Sequence, residues 1–167
     1  MYNKPHYLII IILLTIIFFP VFKISAGEIE TNEKNYFIQT SLYSRHWSNN
    51  SRHNNDQNLI GLEYHFSDSS LLGLALFNNS FSQPCFYIYK GKSYIWREFN
   101  QFKLKKKITY GLIHGYDDEN GKYDGFLNKI KTFPAIVPGI GIEYREMELV
   151  VAPFASAGFI ITLGIKF

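Results

Sequence analysis

The sequence predicts an all-β fold, an eight-stranded antiparallel up-and-down transmembrane β-barrel, on three observations. The stretch Gly158 to Phe167 sets Phe159, Ile161, Leu163, Ile165 and Phe167 against Ile160, Thr162, Gly164 and Lys166. This period of two gives one wholly apolar face and one largely small or polar face, the requirement of a strand between lipid and a polar lumen. Aromatic residues make up 17% of the chain, yet beyond the N-terminus no apolar run is long enough for a membrane-spanning helix. The rest of the chain divides into alternating segments separated by polar turns, and the segments number eight.

Met1 to Tyr7 carries Lys4 and His6, Leu8 to Phe22 is apolar apart from Thr15 and Pro20, and Lys23-Ile24-Ser25-Ala26-Gly27 follows. A basic start, a short apolar run and a small-residue site predict a signal peptide over 1–26, leaving 27–167 as the barrel domain. The alternative, an anchoring helix, has about 22 Å of apolar length against a hydrocarbon core of roughly 30 Å. Pro20 would also break it. A final strand ending in Phe resembles the signal by which outer-membrane barrels are recognised for insertion. The net charge of +3 falls to about +1 without Lys4 and Lys23, so charge gives no argument for a nucleic-acid partner. Cys85 is the single cysteine, which excludes an intrachain disulfide. No metal-ligand spacing, phosphate loop or long repeat appears, and no metal or soluble cofactor is implied.

After a polar lead over Glu28 to Asn35, strand one is predicted from Tyr36 to Arg45, with Tyr36, Ile38, Thr40 and Leu42 opposite Phe37, Gln39, Ser41 and Tyr43. His46 to Asn58 is rich in Asn, Ser and His and reads as a loop. Leu59 to Phe66 is strand two, with Ile60, Leu62, Tyr64 and Phe66 on one face. A turn over 67–70 leads to strand three, Leu71 to Ser80, with Leu72, Leu74 and Leu76 outward. Strand four spans roughly Cys85 to Arg97, and strand five Phe102 to Tyr116. Asp117 to Lys131 is a polar loop. Thr132 to Arg145 is strand six, interrupted by Pro134 and Pro138. Met147 to Phe154 is strand seven, and the closing segment is strand eight.

A closed barrel satisfies its backbone in lipid, and eight strands leave a lumen wide enough for side chains or one slim ligand, which argues against a porin. With both termini periplasmic, the loops 46–58, 81–84, 117–131 and 155–157 face the exterior. His46 ends strand one, and Asn79 and Ser80 end strand three, so all three reach the same outer rim. A His beside a Ser is the minimum for proton-assisted acyl chemistry; the competing reading is a set of solvated loop-end groups. The lysine run at 103, 105, 106 and 107 reads as a solvated or interfacial anchor near the periplasmic face.

Several short motifs carry a family resemblance. Ala75-Leu76-Phe77-Asn78-Asn79-Ser80-Phe81 is similar to the Asp-Ser stretch of the PagP family, the outer-membrane lipid A palmitoyltransferases. Tyr43-Ser44-Arg45-His46 resembles that family's first-strand histidine site, and Phe133 to Gly141 resembles its proline-bearing sixth strand. His53 to Gly61 resembles a segment of the divergent, pseudomonad-like branch. The resemblance covers most of 36–167 and implies a monomeric barrel in the Gram-negative outer membrane. Such a barrel moves a palmitoyl chain from a phospholipid donor to lipid A. It maps catalysis onto His46, Asn79 and Ser80, with His46 as base, or His53 from the same loop. Asn79 stands where better-known members have Asp, and an amide can orient a hydroxyl but cannot act as a base. Gly91 matches the glycine at the floor of the family's acyl-chain pocket; it also reads as an ordinary inward glycine. Pro134 and Pro138 read as a lateral gap for lipid access or as a bulged strand end. The leading alternative for the chain is a non-enzymatic small barrel, structural or adhesin-like. A small-solute transporter is a third reading, which the narrow lumen opposes.

Overall fold

The computed structural model describes residues 35–47, 54–117, 131–154 and 158–167; the expected signal peptide over 1–26 and His53 lie outside them. Eight strands form one closed antiparallel barrel in sequence order: β1 (Tyr36–His46), β2 (Ile60–His65), β3 (Ser70–Asn78), β4 (Pro84–Phe99), β5 (Phe102–His114), β6 (Thr132–Tyr144), β7 (Met147–Phe154) and β8 (Gly158–Lys166). Closure joins β1 to β8, from Phe37↔Lys166 to His46↔Gly158. Each strand lies where its alternation predicts it, to within two residues at either end.

At one end, which carries Tyr36 and Phe167, the connections are tight. Asn100-Gln101 and Arg145-Glu146 close two-residue hairpins between Phe99↔Phe102 and Tyr144↔Met147, with Asn100 and Arg145 at positive φ (52° and 55°). In the β2–β3 turn the Ser70 hydroxyl and N–H both donate to the Asp68 carboxylate and hold it below the usual carboxylate range. The other, loop-bearing end carries the longer connections.

Outward side chains form an apolar belt. Leu42, Ile60, Leu76, Leu112, Ile136 and Ile140 are exposed, Ile136 by 70%. Aromatic clusters border it: Tyr36 with Tyr64 and Phe167 at the turn end, and Tyr43 and Trp47 around Phe159 at the loop end. A surface this apolar is unstable in water, and the belt with its two aromatic borders fits a membrane-spanning barrel.

Inside, the turn half of the lumen is filled with charge in compensated pairs. Lys105 Nζ lies 2.5 Å from Glu148 and 3.1 Å from Glu143, and Lys166 Nζ 2.6 Å from Glu143. Lys107 Nζ lies 2.7 Å from Glu63, whose carboxylate also meets His65 Nε2 at 2.7 Å. This corrects the reading of the lysine run as a surface anchor. The strand period turns Lys105 and Lys107 inward, where buried ammonium groups require carboxylate partners, and turns only Lys106 outward, over the Trp96 ring at 4.2 Å.

The second correction concerns β1, where the alternation sets Leu42 and Tyr43 on opposite faces. Instead the register passes from Ser41↔Thr162 directly to Tyr43↔Ile161, leaving Leu42 as the extra residue of a bulge. The bulge reverses the parity: Leu42 and Tyr43 both face out, and Ser44 and His46 become buried, each 4% exposed.

Candidate functional site

The parity change brings His46 to the end of β3. Its Nε2 lies 2.6 Å from Ser80 Oγ, so two of the three catalytic candidates meet. Its Nδ1 lies 3.0 Å from Asn55 Oδ1, and its backbone N–H donates to the same oxygen at 3.3 Å. The Phe154 ring, at the end of β7, stands edge-on to the imidazole at 5.0 Å between centroids.

The third candidate does not join them. Asn79 is fully buried, and its Oδ1 accepts the N–H groups of Phe81 and Gln83 at 2.9 and 3.0 Å while its Nδ2 donates to Gln83 Oε1 at 2.7 Å. The amide is therefore used by the β3–β4 turn and shapes the backbone that carries Ser80. The polar amide facing His46 is Asn55, which the sequence reading missed because it lies in an Asn-rich loop with no periodicity to distinguish one amide from another.

Ser80 lies at the edge of a cavity of about 170 Å³ in the loop half of the lumen. An engineered apolar cavity of roughly 150 Å³ takes up benzene, so this space admits part of an apolar chain. Leu59, Ala75, Phe77, Ile113, Val150 and Ile160 make its walls apolar. Its floor is polar: Tyr89 OH donates to Glu63 at 2.8 Å, Gln39 Nε2 donates to Glu63 at 3.0 Å, and Lys107 completes the plug. The Tyr89 ring lies across Gly73, where a Cβ would stand 2.4 Å from it.

Gly91 is not among the residues lining this cavity. It pairs with Leu71 and Thr109, and a Cβ there would meet the Ile108 carbonyl oxygen at 2.5 Å and Thr109 Cγ2 at 2.9 Å. The glycine permits close approach of β4 to β5, and the cavity floor is instead the Tyr89–Glu63–Lys107–Gln39 group.

The prolines lie along a break in the wall. β6 pairs with β5 over its whole length, from Phe102↔Tyr144 to His114↔Thr132, but with β7 only from Tyr144↔Met147 to Ile140↔Val151. Pro134 and Pro138 fall in the stretch bonded to β5 alone, where a missing N–H costs least. Pro138 and Gly139 on β6, and Ala152 and Pro153 on β7, line the cavity from the two lips of this break; Pro134 does not reach it.

No known family model matches the chain, and no curated protein matches it. Solved structures do resemble it. A barrel from the de novo design of transmembrane β-barrels superposes with a TM-score of 0.51 over 83% of this chain and 100% of its own, at 16% identity. The N-terminal β-barrel domain of Pseudomonas aeruginosa OprF gives a TM-score of 0.45 at 12% identity, over 81% of this chain and 97% of that one. Yersinia pestis outer membrane protein Ail in phospholipid bilayer nanodiscs gives 0.41 at 12% identity, over 81% and 100% of the two chains. The designed barrel shares the fold, and none of the three bears on the chemistry of the rim.

Proposed function

We propose that this chain is an outer-membrane acyltransferase that moves a long acyl chain from a phospholipid to lipid A. The observation that carries the reading is the His46–Ser80 pair at 2.6 Å, set at the edge of an apolar cavity that reaches a break in the barrel wall. A hydroxyl in hydrogen-bond reach of an imidazole, with the imidazole oriented by a further polar group, is an activated nucleophile. His46 takes the Ser80 proton as Oγ attacks the ester carbonyl, and returns it to the glycerol oxygen as the ester C–O bond breaks. The acyl group then passes from Ser80 to a lipid A hydroxyl by the reverse proton path. The cavity holds the acyl chain, and the gap between β6 and β7 admits it sideways from lipid. The floor, closed by the Glu63–Lys107 ion pair, opposes passage of a solute through the barrel.

Lipid A from cells expressing the protein is measured by mass spectrometry. The expected result is one fixed long-acyl mass increment with wild type, lost with His46→Ala and with Ser80→Ala while each barrel remains in the outer membrane. A general base contributes about 10²–10⁴-fold, so the loss is conspicuous. No increment with wild type, given phospholipid in the outer leaflet, leaves the non-enzymatic barrel standing instead.

A further inference from the structure

The two nitrogens of His46 meet different residues, and the contact on the Asn55 side settles what the other nitrogen can do. Asn55 Oδ1 receives the backbone N–H of His46 at 3.3 Å and faces Nδ1 at 3.0 Å. A backbone N–H only donates, so the amide atom it meets is the oxygen. An amide oxygen only accepts, so the Nδ1 facing it carries the ring proton. Nε2 is then the lone-pair nitrogen, and the Ser80 hydroxyl at 2.6 Å donates to it.

The loop around Asn55 is anchored to the same strand ends. Asn54 N–H donates to the Ser80 carbonyl at 2.7 Å, and Asn78 N–H donates to the Gln57 carbonyl at 2.7 Å. The Ser44 hydroxyl donates to the Asn55 carbonyl, and Asp56 N–H closes a turn onto Asn54 Oδ1 at 2.7 Å. Asn55 is thus tied to β1 through Ser44 and to β3 through its neighbours. With the Phe154 ring packed crosswise against the imidazole, rotation of the imidazole is opposed from two sides.

We propose that Asn55 is the positioning residue of this site, holding His46 in the Nδ1–H form so that Nε2 accepts the Ser80 proton. Its consequence for rate rests on the acyl-transfer reading above; the ring form itself does not. No bond to Asn55 forms or breaks: the proton shuttles between Ser80 Oγ, His46 Nε2 and the departing oxygen. A neutral amide orients the imidazolium formed in between without the charge a carboxylate would add. A carboxylate at this position therefore preserves the orientation.

The test compares wild type, Asn55→Ala and Asn55→Asp by lipid A acylation kinetics and by the ¹⁵N chemical shifts of His46 in the refolded barrel in micelles. The expected result for Asn55→Ala is a fall in kcat of roughly ten- to a hundred-fold with KM little changed, the size of losing a ring-orienting partner. Its ¹⁵N shifts should move from the Nδ1–H form toward a mixture, and Asn55→Asp should restore both turnover and the Nδ1–H form. Turnover of Asn55→Ala within two-fold of wild type, with unmoved shifts, overturns the proposal. A wild type that transfers no acyl chain refutes the acyl-transfer reading alone, because the ¹⁵N shifts still decide the ring form. If Asn55→Ala does not fold, the wild-type spectrum decides by itself: Nδ1–H sustains the assignment and Nε2–H refutes it.

Discussion

Replacing Glu63 with Gln removes the charge that compensates Lys107 at the cavity floor. Glu63 is 1% exposed and Lys107 is 7% exposed, so water does not substitute for the lost carboxylate. Breaking a buried ion pair from one side costs about 3–5 kcal/mol. Glu63→Gln and Lys107→Met should each destabilise the barrel by that amount. The double variant Glu63→Leu/Lys107→Met should recover most of it, since a buried pair and an apolar pair of similar volume are close in free energy. Tyr89 keeps a partner in that variant, its hydroxyl accepting from Gln39 Nε2 at 3.2 Å. Urea unfolding of barrels refolded into lipid vesicles, followed by tryptophan fluorescence, measures all four proteins. Single variants within about 1 kcal/mol of wild type, or a double variant as unstable as the two losses added, would refute the assignment of this pair as the structural plug.

Three further predictions, whose acylation readouts rest on the proposed function, concern the bulge, Gly91 and the cavity wall. Deleting Leu42, the extra residue of the β1 bulge, should leave Ser41↔Thr162 and Tyr43↔Ile161 in register, His46 inward and acylation intact; an inactive but folded deletion protein would show that the bulge's added twist is itself required. Gly91→Ala should weaken the barrel by about 1–3 kcal/mol without changing chain-length preference, because its Cβ meets Ile108 and Thr109 rather than the cavity. Ala75→Leu, on the cavity wall, should instead shorten the longest chain transferred; mass spectrometry of lipid A separates these outcomes, and a shortened chain with well-folded Gly91→Ala would restore the floor to Gly91.

The fold was legible because a strand between lipid and lumen imposes a period of two on the sequence. Leu72, Leu74 and Leu76 announce β3, and Gly61, Glu63 and His65 mark the inner face of β2, without reference to any partner. The same rule misled at β1, where a bulge changes parity without a mark in composition, and Ser44 and His46 turn inward. The lysine run was visible, but its three carboxylate partners lie on β2, β6 and β7, and pairing across the lumen is decided when the barrel closes. The rim divides in the same way. His46 and Ser80 could be named from their places at two strand ends, because strand direction carries both to one rim. Which of several amides faces the imidazole could not be read along the chain. Asn79 adjoins Ser80 in sequence yet spends its amide on the turn, while Asn55 reaches His46 because the loop folds back over the ends of β1 and β3. Periodicity acts along one strand and is written in the sequence; contacts between strand ends and loops depend on register and closure, which arise only when the eight strands meet.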